Sequence, residues 1–473
     1  ILDYGGPNVA KELHVGHLRT AIIGESFKRT LRFAGARVTG DVHLGDWGVQ
    51  MGQLLTQVRD EQPDLVYFDD GYRGPYPEES PVSIEDLQRL YPVSAARMKA
   101  EPAFAAAARH ATVDLQAGRP GYRALWQHFR DVSVEAIGRV YDDLDVSFDV
   151  WLGESSVHDR IGPMVERLES SGVAEPSDGA VVVHVSRDDE EHQIPPLMLV
   201  KSDGGYAYAT TDLATVEERV EDLEGTGAIY FVDARQSLHF EQVFRAARKG
   251  GIAPEAFVLE HAPNGTVNGP DGTPLRTRDG DLPLLRDALA DIESIATASM
   301  DAKGLAADYP AAERERIAWL VGMAAVKFGD LSNHRTSSYI FDLERFSSFE
   351  GKTGPYLLYV AVRISSLLKK ADEMGLERGP ILAPAHDSER ALLLEISEFA
   401  EAVERSIALR APNHVAEYCY ELSGAFNRFY EQCHILSEED GSLQSSWLAV
   451  AALTRRVVVT SLDLLGISVP DRM

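Results

Sequence analysis

The chain has 473 residues, about three times the commonest domain size, so it holds two or more cores and is not one small module. Hydrophobic residues make up 44 % and charged residues 25 %, a globular balance that excludes a disordered or fibrous protein. The net charge of −28, from 46 basic against 74 acidic residues, argues against a nonspecific nucleic-acid coater and against a binder of anionic membranes, while leaving room for a local basic groove.

In chain order, residues 1–4 read as a short strand running into the turn Gly5-Gly6-Pro7-Asn8. Leu18, Ile22, Ile23, Phe27 and Leu31 then share one stripe, which predicts a helix over residues 17–34. Residues 60–118, rich in proline and acids, predict a helical or irregular insertion between sheet elements. Strands follow at 180–185, 197–201, 228–232 and 256–259. Such alternation of β-rich runs with amphipathic helices predicts an α/β domain over residues 1–290, built on a mostly parallel sheet covered on both faces. Past residue 291 the strand signal stops. Helical periodicity over 316–329, 356–374, 388–409, 414–433 and 443–465 predicts an all-α bundle domain for residues 291–473, with Pro283 and the acidic run from Asp287 to Glu293 at the boundary.

Cys419 and Cys433 are too few for a disulfide framework and lack the paired spacing of a zinc site, so they read as buried small hydrophobes in a reducing, cytoplasmic setting. No apolar run approaches the roughly 18 to 20 residues that cross a bilayer, which predicts no membrane partner. The chain opens on Ile1 and enters a strand at once, so no secretory leader is read and a missing N-terminal segment is expected.

The densest motif is Pro7-Asn8-Val9-Ala10-Lys11-Glu12-Leu13-His14-Val15-Gly16-His17, between the first strand and the first helix, where a doubly wound sheet places nucleotides. A helix start offers unpaired N–H groups and positive dipole, and His14 and His17, three apart, share a face and can reach one phosphate chain. Gly16 has no side chain, so adenine or ribose can lie against its backbone. The two histidines also fit helix caps or a pair of metal ligands. No G-x-G-x-x-G follows the first strand, which argues against a dinucleotide-dependent dehydrogenase. Tyr208 and Asp212, four apart at a strand-to-helix junction, face one pocket if that segment is helical.

The motif around His14 and His17 resembles the HIGH signature of the class I aminoacyl-tRNA synthetases, and the flanking Pro7-Asn8-Val9-Ala10-Lys11-Glu12 is similar to the arginyl-tRNA synthetases in particular. Further similarity lies in Leu44-Gly45-Asp46-Trp47-Gly48-Val49-Gln50, in Gly204-Gly205-Tyr206-Ala207-Tyr208-Ala209-Thr210-Thr211-Asp212, in Phe349-Glu350-Gly351-Lys352-Thr353-Gly354-Pro355-Tyr356, and in the ending at residues 465–473. The resemblance implies a Rossmann-like catalytic domain followed by an anticodon-binding-like bundle. It implies ATP-dependent activation of L-arginine with Mg²⁺, transfer of the arginyl group to tRNA(Arg), and a monomer. Binding free arginine calls for a fork of carboxylates. By resemblance Asp212, Tyr208 and Glu154 read the guanidinium, and Asp3, Asn8 and Gln236 hold the backbone end. His14, His17, Lys11 and Arg276 take catalytic roles, Gly16 and Arg278 join His14, His17 and Arg276 in binding ATP, and no residue is assigned to a metal.

Two departures from the family pattern stand out. Gly5-Gly6 replaces a serine and a small residue before Pro-Asn, which removes a hydroxyl suited to the amino group. The loop over residues 268–280 resembles the second class I motif, yet Pro270 and Thr273 stand where lysine is frequent, leaving Arg276 and Arg278 as its cations and Lys11 as the compensating lysine. In the helical part, Asn333-His334-Arg335 with Tyr356, Tyr359 and Arg363 has the aromatic and basic mix that unstacked bases prefer, so Tyr356, Tyr359 and Arg363 are expected to bind tRNA. Arg405, Arg410, Arg428, Arg455 and Arg456 could add phosphate contacts. The sequence opens at the first catalytic strand, so the family's additional N-terminal domain, roughly a hundred residues, is expected either to have been trimmed from it or to be naturally absent. A second reading therefore stands beside the ligase: a paralogue with little charging activity that binds RNA, regulates, or supplies activated arginine to another pathway.

Overall fold

The structure is a computed structural model that describes residues 1–187, 189–190, 193–202, 204–273 and 283–473. Two compact units interleave along the chain. The first comprises Ile1–Leu13, Thr39–Asp143 and Ser147–Pro263, the second His14–Val38, Leu144–Val146 and Asn264–Met473. The strands are β1 (Leu2–Asp3), β2 (Gly40–Asp41), β3 (Glu175–Ser177), β4 (Ala180–Val183), β5 (Leu197–Val200), β6 (Gly227–Tyr230), β7 (Val258–His261), β8 (Val267–Asn268) and β9 (Tyr339–Ile340).

In the first unit β1, β2, β6 and β7 form an all-parallel sheet in the order β2-β1-β6-β7, with Leu2 opposite both Gly40 and Ile229. The central β1 is buried, as a strand of a parallel sheet covered on both faces must be. Helix Tyr208–Glu221 precedes β6 and helix Ser237–Lys249 joins β6 to β7. Their apolar faces bury Leu213, Val216, Val243 and Ala247 in one core with Leu199, Ala228 and Tyr230. Residues 180–185 and 197–201, expected in this parallel sheet, instead form the separate antiparallel sheet β3-β4-β5. Asp178 (φ 47°) and Gly179 (φ 79°) supply the left-handed two-residue turn that reverses the chain between β3 and β4. The proline-rich stretch holds helices Ile84–Ala100 and Pro102–Gln116, the first capped by Ser83 accepting from Asp86 N, the second opened by Pro102. With helices Val49–Glu61 and Pro120–Asp143 they enclose Trp47, Leu54, Leu87, Leu115 and Phe129 in a second core.

The second unit is mainly helical, with helices Val15–Phe33, Leu285–Lys303, Ala311–Leu331, Gly354–Glu373, Asn413–Gln432 and Gly441–Leu464. Two expectations fail in it. β9 lies beyond residue 291, pairing in parallel with β8. The predicted helix 388–409 breaks into Asp387–Ser397 and Phe399–Leu409, because Glu398 closes the first with a tight bond to Glu395 O. Helix Val15–Phe33, whose start carries the histidine motif, is fixed by buried polar bonds. Arg19 donates to Ser337 O at 2.7 Å and His334 O at 3.2 Å and lies 3.6 Å from Asp330, while Lys28 pairs with Glu25 at 2.7 Å. Ser26 donates to Leu464 O at 2.8 Å.

Candidate active site

A cavity of about 740 Å³ opens in the first unit, and Asp3, Asn8, Glu154, Tyr208, Asp212 and Gln236 all line it. Each arrives from a different local device. Asn8 follows the turn after β1, where Val9 N donates to Gly45 O and Gly45 N to Pro7 O. A Cβ at Gly45 would stand 2.2 Å from Asn8 Oδ1, so the glycine makes room for that amide. Glu154 is held by its own N–H on Leu44 O at 3.0 Å, next to Ser155, whose N and Oγ donate to the buried Asp46 carboxylate at 2.9 and 2.7 Å. Tyr208 and Asp212 sit on the first turns of helix Tyr208–Glu221, set by Ala207 N and Thr210 Oγ1, both donating to Leu199 O. Gln236 closes a short 3₁₀ turn capped by Asp233.

The guanidinium-reading trio expected from the sequence has a distinct electrostatic setting. Burial pushes the Glu154 carboxyl up to about 7, with the charges of Asp46 and Asp212 adding to the rise and His43 opposing it. The Tyr208 hydroxyl is also raised, first by the Asp212 charge, then by burial and by Glu154 and Asp3. Asp212 Oδ2 accepts from His239 Nε2 at 2.7 Å, and the His239 ring lies 5.2 Å from that of Tyr208. Sequence reading passed over His239, although it stands only three residues after Gln236.

Asp3 has an unforeseen partner. The fully buried Arg219 donates from Nη2 to Asp3 Oδ2 at 2.5 Å and to Asp41 Oδ2 at 2.8 Å, with its guanidinium 4.6 Å from the Tyr230 ring. Asp3, Asp41 and His43 lie close enough together to suggest a metal site. A divalent cation does not fit there, because the Arg219 guanidinium already occupies two of the carboxylates. Gly5 explains the lost hydroxyl. It adopts φ 91°, and a Cβ on it would lie 2.8 Å from the hydroxyl oxygen of Tyr141. Lys11, exposed in this unit, places its Nζ 4.7 Å from the centre of the Tyr91 ring.

His14, Gly16 and His17 belong to the second unit, and the two histidines form a reciprocal cap. Gly16 N donates to His14 Nδ1 and His14 N to His17 Nδ1, both at 3.1 Å, with ring centroids 3.9 Å apart. An Nδ1 that accepts a backbone N–H carries no proton, which leaves the ring proton on Nε2. Gly16 is exposed at this helix start. Val15 N donates to Pro283 O at 3.0 Å and His14 pairs with Leu284, so the chain leaving the second motif is tied to the first. Arg276 and Arg278 lie outside the described residues.

Residues 1–343 match the family described as tRNA synthetases class I (R), catalytic domain, and residues 357–473 match the DALR anticodon binding domain. The chain belongs to the class I arginyl-tRNA synthetase family. It is 50 % identical over 473 residues to an arginine–tRNA ligase of Maricaulis maris (strain MCS10), covering all of this chain and 80 % of that one. An arginine–tRNA ligase of Hyphomonas neptunium (strain ATCC 15444) is also 50 % identical, over 475 residues, with the same coverage of both chains. Among solved structures, arginyl-tRNA synthetase of Plasmodium falciparum superposes with a TM-score of 0.82 at 25 % identity, over all of this chain and 76 % of that one. The Thermus thermophilus arginyl-tRNA synthetase, at 24 % identity, shares the fold with a TM-score of 0.79 over 100 % of this chain and 82 % of its own.

On helix Gly354–Glu373 of this synthetase-family chain, where the match to the anticodon-binding domain begins at residue 357, Tyr356, Tyr359 and Arg363 form one connected cluster. Arg363 donates to Tyr359 Oη at 3.2 Å and to Asn427 Oδ1 at 3.1 Å, and Asn427 donates to Tyr356 Oη at 2.9 Å. The Arg363 guanidinium also faces Tyr430, whose ring is partly exposed. Of the arginines expected at phosphates, Arg410 donates to Ile407 O at 2.5 Å and Arg455 to Ser365 Oγ at 2.6 Å. Cys419 and Cys433 are free and buried. No helix among the described residues is long and apolar enough to cross a membrane.

Proposed function

We infer that this chain is an arginine–tRNA ligase, and that the cavity lined by Glu154, Tyr208 and Asp212 is its arginine site. A carboxylate oxygen of arginine attacks the α-phosphorus of ATP, the bond to the bridging oxygen breaks, and arginyl-adenylate and diphosphate form. A terminal ribose hydroxyl of tRNA(Arg) then attacks the arginyl carbonyl, gives up its proton and displaces AMP. Little covalent chemistry falls to the protein, so rate comes from positioning and from charge placed where it develops.

The observation that carries this reading is the gathering of Asp3, Glu154 and Asp212 around one cavity with Tyr208, a set of acceptors suited to a planar cation. The Asp212 charge adds to the cost of ionising Glu154, and an arriving guanidinium offsets it. Asn8, Gln236 and Asp3 supply acceptors for the α-ammonium end, Asp3 with its Oδ1, since its Oδ2 serves Arg219. His14 and His17 present Nε2–H donors to phosphate, and Lys11, Arg276 and Arg278 neutralise the departing diphosphate. The cluster of Tyr356, Tyr359 and Arg363 stacks and pairs with tRNA bases. Mg²⁺ enters on the triphosphate of ATP and is assigned to no side chain. The enzyme is proposed to act as a cytoplasmic monomer, a compartment supported by its two free buried thiols. Half identity to arginine–tRNA ligases over the full chain supports the ligase, and no observation favours the paralogue with little charging.

The test is charging of tRNA with labelled amino acids, ATP and Mg²⁺, alongside diphosphate exchange with and without tRNA. Arginine should be charged above all others. His17→Asn retains a side-chain acceptor for the His14 N–H while removing the Nε2 donor, so a folded variant that has lost about 100-fold in kcat supports the role. Unchanged charging in that variant removes it.

A further inference from the structure

We propose that His239 is a positioning residue for arginine recognition, fixing the carboxylate of Asp212 and the ring of Tyr208 in one geometry; this rests on the cavity being the arginine site. His239 Nε2 donates to Asp212 Oδ2 at 2.7 Å, the shortness of a bond to a charged acceptor. The two side chains are 22 % and 14 % exposed, so water competes weakly for the contact. They come from separate elements, helix Ser237–Lys249 and helix Tyr208–Glu221, so the bond also joins the two walls that carry Gln236 and Asp212. The same imidazole packs on Tyr208, with centroids 5.2 Å apart and planes at 33°, and its other neighbour Phe240 stands 5.6 Å away.

The consequence for recognition follows from carboxylate geometry. An Asp side chain is free to turn about its last bond, and a turning carboxylate meets a point charge as well as it meets a planar fork. With Oδ2 fixed by an N–H donor, the plane is set and Oδ1 is the oxygen offered to the ligand. A flat guanidinium then gains two-point contact only by bridging Asp212 to a second acceptor, and Glu154 lines the same cavity. His239 itself does not line that cavity, so it acts on the substrate through Asp212 and Tyr208.

The experiment measures arginine and ATP dependence of tRNA charging in the full chain. His239→Leu should raise KM for arginine about tenfold to a hundredfold, the loss expected for one hydrogen bond to a charged group, with KM for ATP moving less than about twofold. His239→Gln returns an amide donor near the position of Nε2 and should restore KM to within about threefold of the parent. Combining His239→Leu with Asp212→Asn should add little to the loss from Asp212→Asn alone, because the two act as one unit. A His239→Leu variant with parental KM for arginine overturns the proposal, as does a glutamine variant as impaired as the leucine one. If Asp212→Asn itself leaves the arginine KM unchanged, the arginine-site reading falls and this inference with it. If only the His239 variants are silent, the site stands and His239 has no part in it.

Discussion

Asp3 and Asp41 share a resident guanidinium, Arg219, whereas Asp212 is held by the imidazole of His239 and Glu154 is kept near neutrality by burial. Both arrangements occur in the first unit and both use carboxylates on or near the parallel sheet. In the first, two buried acids are neutralised by the chain itself. In the second, Glu154 and Asp212 line a cavity with no guanidinium bonded to either among the described residues, so an arriving arginine supplies what Arg219 supplies at its own site. The protein thus carries an internal copy of the pairing that its substrate completes, and Asp3 takes part in both, bonded to Arg219 and lining the cavity.

The comparison can be broken by removing the resident cation. Arg219→Leu leaves Asp3 and Asp41 as uncompensated buried charges and should cost about 3–5 kcal/mol of stability, read from the midpoint of urea unfolding. A midpoint equal to the parent's would mean that the pairing does not neutralise these acids. Asp41→Asn sharpens the contrast: about 1.5–3 kcal/mol of stability is lost with the charge-assisted bond, less than with removal of the cation, read from the same unfolding midpoint.

Glu154 gives the smallest effect, and its sign is fixed by the direction of its shift. Its carboxyl is raised from the ordinary value to about 7, so the ligand-free site is largely protonated below that pH. Only the carboxylate pairs with guanidinium. Arginine binding therefore strengthens as pH rises through 7, and KM should climb by up to about tenfold for each pH unit below it. Glu154→Gln should flatten that profile, and a parental slope in this variant would assign the titration to another group.

Motif residues near one another in sequence were the legible part of the site. The turn at Asn8 and the Tyr208–Asp212 spacing were read from the residues, while Gln236, Asp3 and Glu154 came with the family resemblance, and all of them line a single cavity. Pairings across the chain were not legible in the same way. Arg219 is 216 residues from Asp3, and nothing in composition or spacing joins them. A weaker signal was present, since Tyr208, Asp212, Thr215 and Arg219 fall at spacings of four, three and four and so mark one polar stripe on a helix. The strand directions were also readable and missed: Asp178-Gly179 is a hairpin turn by composition, and it accounts for the antiparallel sheet where parallel strands were expected. The break at Glu398 had no such cue, because the residue is a good helix former by composition.

The contact between Gly5 and Tyr141 has a consequence for how this sequence can change. A side chain cannot return to position 5 while the tyrosine hydroxyl fills its space, and the backbone there must also leave a conformation that L-residues resist. The order of substitutions is therefore constrained: the larger ring must shrink or shift before the smaller site can regain an atom. The two positions are thus a linked pair, and a serine grafted alone at position 5 meets an obstacle more than a hundred residues away.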